Sequence, residues 1–290
     1  MSKKIYSMIT DQIIENLNKG ISWHQGWFSH LNPITKTEYQ GVNKLLLGLD
    51  CIAFNYNNPI WLTWNQVKKE GLRVKKGSKS SLVVYFTTKE IIIEDKDKSN
   101  DKPTVKTIPV IRYYRVFNLN CIEGETHKIE KLINKHQASL SATAKETIKR
   151  LESLISLMGY KMQRSYNASC NYKTKTINIP SVFKSESEHI LTIAHEIIHA
   201  TAPFTERKPK IEDLSSYSFE ELVAEIGACF LASKLGYKLQ NVTNSAAYIK
   251  GWTKYLKKNP KNTIYKAASQ AEKAINFLIQ LEKNTIKKAA

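Results

Sequence analysis

His195 and His199 lie four residues apart with Glu196 beside the first, a set of side chains able to bind a metal ion and to move a proton. On a helix, positions i and i+4 share a face, so both imidazoles can reach one ion. A metal held there acidifies water and the adjacent carboxylate can take the proton, the logic of the H-E-x-x-H pattern of zinc hydrolases. Three fixed letters in five arise by chance, so the setting must supply specificity. Ser185 and Glu188 have capping-box spacing, and Ile190, Leu191, Ile193, Ala194, Ile197 and Ile198 give the helix a large apolar surface. Pro203 is a stop soon after the motif. The plainer reading is a buried helix whose histidines only hydrogen-bond to neighbours.

A catalytic zinc site commonly has three protein ligands and leaves a position for water. The best local source of the third is the stretch Ser218 to Phe230, whose apolar spacing predicts a second buried helix with Glu221 and Glu225 one turn apart on one face. Two carboxylates buried there are costly without a cation or donors. We assign Glu221 as third ligand and Glu225 as the acceptor that orients a histidine through its other ring nitrogen; the reverse stays open. Ser218 and Glu221 also have capping-box spacing, Glu220 reads as a surface cap residue, and Cys229 reads as a small buried residue.

The elements before this site read differently. Ile5, Ile9, Ile13, Ile14 and Leu17 lie close to one stripe of a helix over 4–17, which Gly20 ends. Trp23, Trp27 and Phe28 follow without periodicity, then an apolar helix over 42–54 contains Asn43 and Lys44. Trp64, Lys68 and Lys69 lead into Arg73, Lys75, Lys76 and Lys79, with Gly71 and Gly77 allowing turns and Thr63 as an N-cap. Residues 81–86 and 111–119 read as strands, and 90–106 as a charged loop between them. Alternation sends Arg112 and Tyr114 to the side opposite Tyr113 and Arg115, so one face could offer Tyr85, Arg112 and Tyr114 to nucleic acid while the other packs inward. For each tryptophan the plainer role is fastening a loop to the core.

The formal net charge of +18 exceeds what solubility needs. Such a balance draws in polyphosphates and gives salt-sensitive, weakly sequence-specific binding. Aromatic side chains among the basic ones favour single-stranded DNA, whose bases are free to stack; double-stranded DNA stays open as a second partner. A lysine-rich composition alone would carry no such conclusion.

With these residues on the page, the C-terminal half resembles the zincin-like metallopeptidase domain of ArdC-type antirestriction proteins, and the N-terminal half their single-stranded-DNA-binding domain. The resemblance is carried by Asn178-Ile179-Pro180, Phe183, His195-Glu196-x-x-His199-Ala200-Thr201 and Glu220 to Glu225 in the second half. In the first half it is carried by Ile21 to Trp27, Tyr39 to Asn43, Trp61 to Gln66 and Lys75 to Lys79. The chain departs from the family pattern at Thr201-Ala202-Pro203, where threonine and glycine usually follow the second histidine, and at Ser22, where proline is usual. The resemblance implies DNA association and protection of transferred plasmid DNA from restriction, with one Zn2+, Mn2+ or another divalent ion in the second domain.

The expected fold class is α+β in two domains: a mixed helix and sheet DNA-binding domain over 1–125, a linker over 126–142, and a mainly helical zincin-like domain with a small sheet over 143–290. The length of 290 residues accommodates both cores. No stretch is long and apolar enough to cross a bilayer, the first residues lack a secretory hydrophobic block, and Cys51, Cys121, Cys170 and Cys229 are too scattered for a knuckle or a disulfide framework, so a cytoplasmic protein is expected. Two further readings stay open: a zinc peptidase acting on a host protein with incidental DNA binding, and a non-enzymatic protein that occludes DNA and carries a structural metal.

Overall fold

The computed structural model describes residues 2–21, 29–93, 104–127, 129, 142–208, 213–240, 242, 246–259 and 262–289. Its order is α1 (Ser2–Asn18), β1 (Leu31–Asn32), β2 (Thr37–Glu38), α2 (Val42–Ala53), β3 (Trp61–Thr63), α3 (Trp64–Lys69), β4 (Arg73–Val74), β5 (Ser81–Ile93), β6 (Thr104–Asn118) and β7 (Ile122–Glu123). The second half adds α4 (Ala144–Leu157), β8 (Lys161–Ser165), β9 (Ser169–Asn171), β10 (Thr176–Pro180), α5 (Glu186–Ala200), α6 (Leu214–Lys234), α7 (Ala246–Lys258) and α8 (Thr263–Ala289). The fold is α+β in two domains, as expected.

In the first half, Ile5, Ile9, Ile13 and Leu17 of α1 are all buried, as their spacing requires. Thr63 caps α3 in a reciprocal capping box with Gln66. The main sheet has the order β3-β6-β5, all antiparallel, and β5 pairs with β6 from Ser81 opposite Val116 to Ile93 opposite Thr104. The hairpin is longer than the sequence suggested: 90–93 and 104–106 are strand, not loop. Their charged neighbours signal a loop, but strand pairing rests on the main chain, so the ladder continues whatever the side chains.

In the second half, Thr143 and Glu146 form the capping box that starts α4. The small sheet has the order β8-β10-β9, with β8 parallel and β9 antiparallel to β10. Ser185 caps α5 by accepting from the backbone N–H of Glu188, while the Glu188 carboxylate reaches back to the N–H of Lys184. Helix α6 begins at Leu214, a turn before Ser218, so Ser218 lies inside it and is not its cap. Ala267, Ala268, Ala271 and Ala274 of α8 are buried, and their small side chains let α8 run close against α6.

One apolar cluster runs from Ile5 of α1 through Val42 of α2 to Ile198 of α5, Phe230 of α6 and Leu278 of α8, so the two halves share a core. Polar contacts reinforce it: Glu272 accepts from the N–H of Gly41 at 3.1 Å, and Lys234 lies 3.4 Å from Glu38.

The α5–α6 contact leaves little room. A Cβ placed on Gly227 would lie 2.8 Å from Cγ1 of Ile198 and 3.0 Å from its Cγ2. A β-branched side chain on a helix has one strongly preferred rotamer and cannot swing aside. Gly227→Ala gains about 1 kcal/mol of helix propensity but overpacks the contact at a cost of about 1–3 kcal/mol. We expect net destabilisation in chemical denaturation; a stabilised variant would mean that the helices have slack.

Asp50 of α2 is buried, takes a hydrogen bond from Gln12 of α1 at 2.8 Å, and is pushed up to about 6 by burial, against the pull of Gln12 and Arg115. A carboxyl raised in the folded state stabilises it at low pH and loses that contribution as pH climbs from the unfolded value, 3.8, to about 6. Asp50→Asn keeps the acceptor and removes the titration. Its stability relative to the parent chain should therefore rise by about 2–3 kcal/mol between about pH 4 and pH 7, measured by urea unfolding at each pH; a pH-independent difference would refute the assignment.

Candidate functional site

The phase of α5 and the start of α6 bring three groups to one point. Nε2 of His195 and Nε2 of His199 are 3.1 Å apart, and the two oxygens of Glu221 lie 3.4 Å from one or the other. One ligand atom from each of the three residues lies within 4.8 Å of the others, against about 3.3 Å between ligand atoms of four-coordinate zinc, so a small adjustment of the Glu221 carboxylate lets the three close on one ion and leave a position for water. The groups also polarise one another. Burial raises the Glu221 carboxyl, but hydrogen bonds and charge from both histidines hold it far below the usual range. Burial pulls His199 down, yet hydrogen bonds donated to the Glu220 and Glu221 carboxylates push it up to about 9. The carboxylates that favour positive charge on His199 would equally suit a metal cation held between the imidazoles.

Glu196 is buried beside the pair, and burial raises its carboxyl against the pull of His195 and His199. The site opens on a cavity of about 310 Å³ whose walls include Ala168, Ser169 and Cys170 along β9, Tyr172 of the hairpin and Tyr217 of α6. Among the described residues strand β9 is an edge of the small sheet, and its Ser169 and Cys170 line the cleft. The charge of Glu221, then burial, raises the Tyr217 hydroxyl, and burial followed by Glu220 raises that of Tyr172. Burial, with the charges of Glu196 and Glu220, pushes the Cys170 thiol up to about 12.

Glu225 was expected to orient a histidine. The group against Nδ1 of His199 is Glu220, at 3.2 Å. It was read as a surface cap but is buried, because α6 begins a turn earlier and turns this position inward. Glu225 is a turn beyond Glu221, about 6 Å along the axis, and its charge is felt by Cys229. Cys229 is buried as expected. Glu220 in turn meets Arg207, whose Nε and Nη2 donate to Oε2 and Oε1, each at 3.1 Å. The sequence reading missed Arg207, which has no helical spacing to the motif. Tyr217 had a readable signal, being four residues before Glu221.

The proposed nucleic-acid residues divide. Trp23 and Trp27 lie outside the described residues. Trp64 and Tyr85 are exposed, Tyr114 is half-buried against Tyr85, and Lys68, Lys69, Arg73, Lys75, Lys76, Lys79 and Arg112 are exposed. The register sets Tyr85, Arg112 and Tyr114 on one face of the β5–β6 ladder, and Phe86, Tyr113 and Arg115 on the other. Both faces carry buried residues, Val83 and Val116 on the first and Leu82, Val84 and Ile111 on the second, so neither is simply the inward one. Trp64 packs on Phe117, at a position of β6 that alternates with Tyr114 and shares the face of Tyr113. Lys75 donates to the carbonyl of Asn120, and Lys79 lies over the Phe54 ring.

Asn43 and Lys44 are corrected by the structure. The Asn43 amide exchanges two hydrogen bonds of 2.8 Å with the backbone of Val84, fastening α2 to β5. Lys44 is buried, with Nζ 4.8 Å from the centre of the Phe230 ring, because its place on α2 faces α6.

Comparison with known proteins places the geometry in context. Residues 3–117 match a family model described as the N-terminal domain of the anti-restriction factor ArdC, and residues 149–270 match one described as a zincin-like metallopeptidase. The crystal structure of the antirestriction protein ArdC from plasmid R388 in metal-free form superposes with a TM-score of 0.72 at 31% identity, covering 96% of this chain and 98% of that one. The Mn(II)-bound form of the same protein gives 0.70 at 30% identity, covering 95% and 97%. A DNA primase TraC of Escherichia coli is 26% identical over 99% of this chain, which spans only 28% of that protein. The uncharacterised protein y4eC of Sinorhizobium fredii (strain NBRC 101917 / NGR234) is 24% identical over 94% of this chain and 91% of its own length. A likeness that runs through both halves in order, at this identity and coverage, makes the chain a member of the ArdC antirestriction family, with a zincin-like second domain.

Proposed function

We propose that this chain binds single-stranded DNA, protects incoming plasmid or mobile-element DNA from restriction in the cytoplasm, and carries a metal-dependent peptidase in its second domain. The observation that carries the enzymatic part is the triangle of His195, His199 and Glu221 with Glu196 beside it on an open cleft. A divalent ion in this site, Zn2+ or Mn2+, supplies Lewis acidity that acidifies a water and polarises a carbonyl. Glu196 accepts the proton of the attacking water and returns it to the leaving amine. The free edge of β9 lines up an extended peptide by main-chain hydrogen bonds, and the hydroxyls of Tyr217 and Tyr172 are donors within the cleft. The domain division at 1–125 and 143–290 belongs to this reading.

The DNA-binding part is supported by family membership and by exposed aromatics among exposed cations. A second reading, a peptidase acting on a host protein with incidental DNA binding, is favoured by one observation: Trp64 and the Tyr85–Tyr114 pair sit on different faces of the ladder.

Glu196→Gln with retained metal should lower peptide turnover about 10²–10⁴-fold, read in a fluorogenic peptide-library assay beside a chelated sample; unchanged turnover refutes the role of Glu196. Stacking a base on an aromatic side chain contributes about 1–3 kcal/mol. Trp64→Ala and Tyr85→Ala should therefore weaken single-stranded DNA binding about five- to hundredfold and double-stranded binding less, measured by competitive anisotropy across a salt series. Equal losses on both substrates, or none, would move the second reading ahead.

A further inference from the structure

We propose that Arg207 is a positioning residue for the metal centre: its guanidinium holds the Glu220 carboxylate against His199, so that Nδ1 carries the ring hydrogen and Nε2 presents its lone pair to the ion. The inference rests on His195, His199 and Glu221 being metal ligands.

Oε1 of Glu220 lies 3.2 Å from Nδ1 of His199 and 3.1 Å from Nη2 of Arg207, and Oε2 lies 3.1 Å from Arg207 Nε. A carboxylate only accepts, so the hydrogen at Nδ1 must belong to the imidazole, which leaves Nε2 as the ligating nitrogen. Nothing in the ring itself prefers that tautomer. A lone Glu220 could turn about its last bond and offer Nδ1 nothing; the two-pronged contact with Arg207 removes that rotation.

Arg207 is held just as firmly from behind. Nη1 donates to Thr205 Oγ1 at 2.8 Å and to Thr201 Oγ1 at 3.2 Å, and Nη2 donates to the carbonyl of Ile198 in the motif helix itself. Both Arg207 and Glu220 are buried, and their side chains are 5% and 6% exposed. The guanidinium thus joins the C-terminal end of α5, the turn after it, and α6 at the ligand His199. Five donors in a plane suit this task; a lysine ammonium satisfies one oxygen and loses the fork.

A rival account makes Arg207 a clamp on the helix end with no bearing on the ion. The two accounts part in a double-mutant cycle read as metal affinity. Zn2+ affinity of the full-length protein is measured by competition with a chromophoric chelator for the parent chain, Arg207→Met, Arg207→Lys, Glu220→Gln and the double variant Arg207→Met/Glu220→Gln, each checked for folding by circular dichroism. Loss of a group that orients a ligand weakens metal binding about 10–100-fold, and this is expected for Arg207→Met. Arg207→Lys should lose less, and the double variant should bind no more weakly than the poorer single one. The proposal is overturned if folded Arg207→Met keeps parental affinity, or if Arg207→Met costs the same factor with and without Glu220. Should Arg207→Met fail to fold, Arg207→Lys carries the same comparison in both backgrounds. Parental protein that binds Zn2+ no better than His195→Ala would overturn the metal site itself, a result distinct from the loss of the Arg207 effect alone.

Discussion

Ile198 of α5 fits the space that Gly227 leaves on α6, and this contact sets the distance between the two helices that carry the candidate ligands. His195 and His199 are fixed relative to each other by helical geometry alone. Glu221 is not: its carboxylate arrives from another helix, so its approach to the two imidazoles, 3.4 Å to each, depends on how closely α5 and α6 pack. The alanines of α8 press on α6 from behind, so α6 is held from two sides. Close packing of small residues therefore helps to place Glu221 beside the two histidines.

A second constraint lies between the two halves. Lys44 of α2 is buried over Phe230 of α6, and burial lowers its pKa while Glu272 and Glu38 act to raise it. Its charge, after burial itself, helps to push the buried His30 down to about 3, which keeps that imidazole neutral where Trp61 donates to its Nδ1. A buried ammonium is costly unless carboxylates and an aromatic face lie close, and here they come from both ends of the chain. The first half is thus tied to the second by charge as well as by shared apolar surface.

What the sequence could reveal followed the range of the interaction. The motif helix, its cap at Ser185, the apolar stripe of α1 and the N-cap at Thr63 are all local, and each was legible from spacing. Glu221 was legible too, because a carboxylate on a buried helix needs a reason. Glu220 and Arg207 were not, since their partnership depends on where α6 starts and on how the turn after Ala200 folds back. Asn43 and Lys44 looked like surface groups because they are polar; only the packing of α2 against β5 and α6 turns them inward. The outer part of the β5–β6 hairpin was hidden by its own charged residues, whose types suit a loop as well as an exposed ribbon.

The placement of the acidic residues links these observations. The chain has 26 acidic residues against 44 lysines and arginines. Many of those bearing on the argument lie inward: Glu196 and Glu220 are buried and Glu221 half-buried at the site, Asp50 is buried beneath α1, and Glu38 and Glu272 are drawn to Lys44. The exposed cations of α3, β4 and the turn after it outnumber the exposed carboxylates beside them, Glu70 next to Lys69 and Glu123 opposite Arg73, so this surface stays positive. At the site the balance is reversed. Three carboxylates face one guanidinium, and with the ligand imidazoles neutral the remaining formal charge is that of a divalent cation with opposite sign. A low-dielectric cleft strengthens this attraction, and the same segregation of charge that suits the interior to a metal suits the exterior to phosphate.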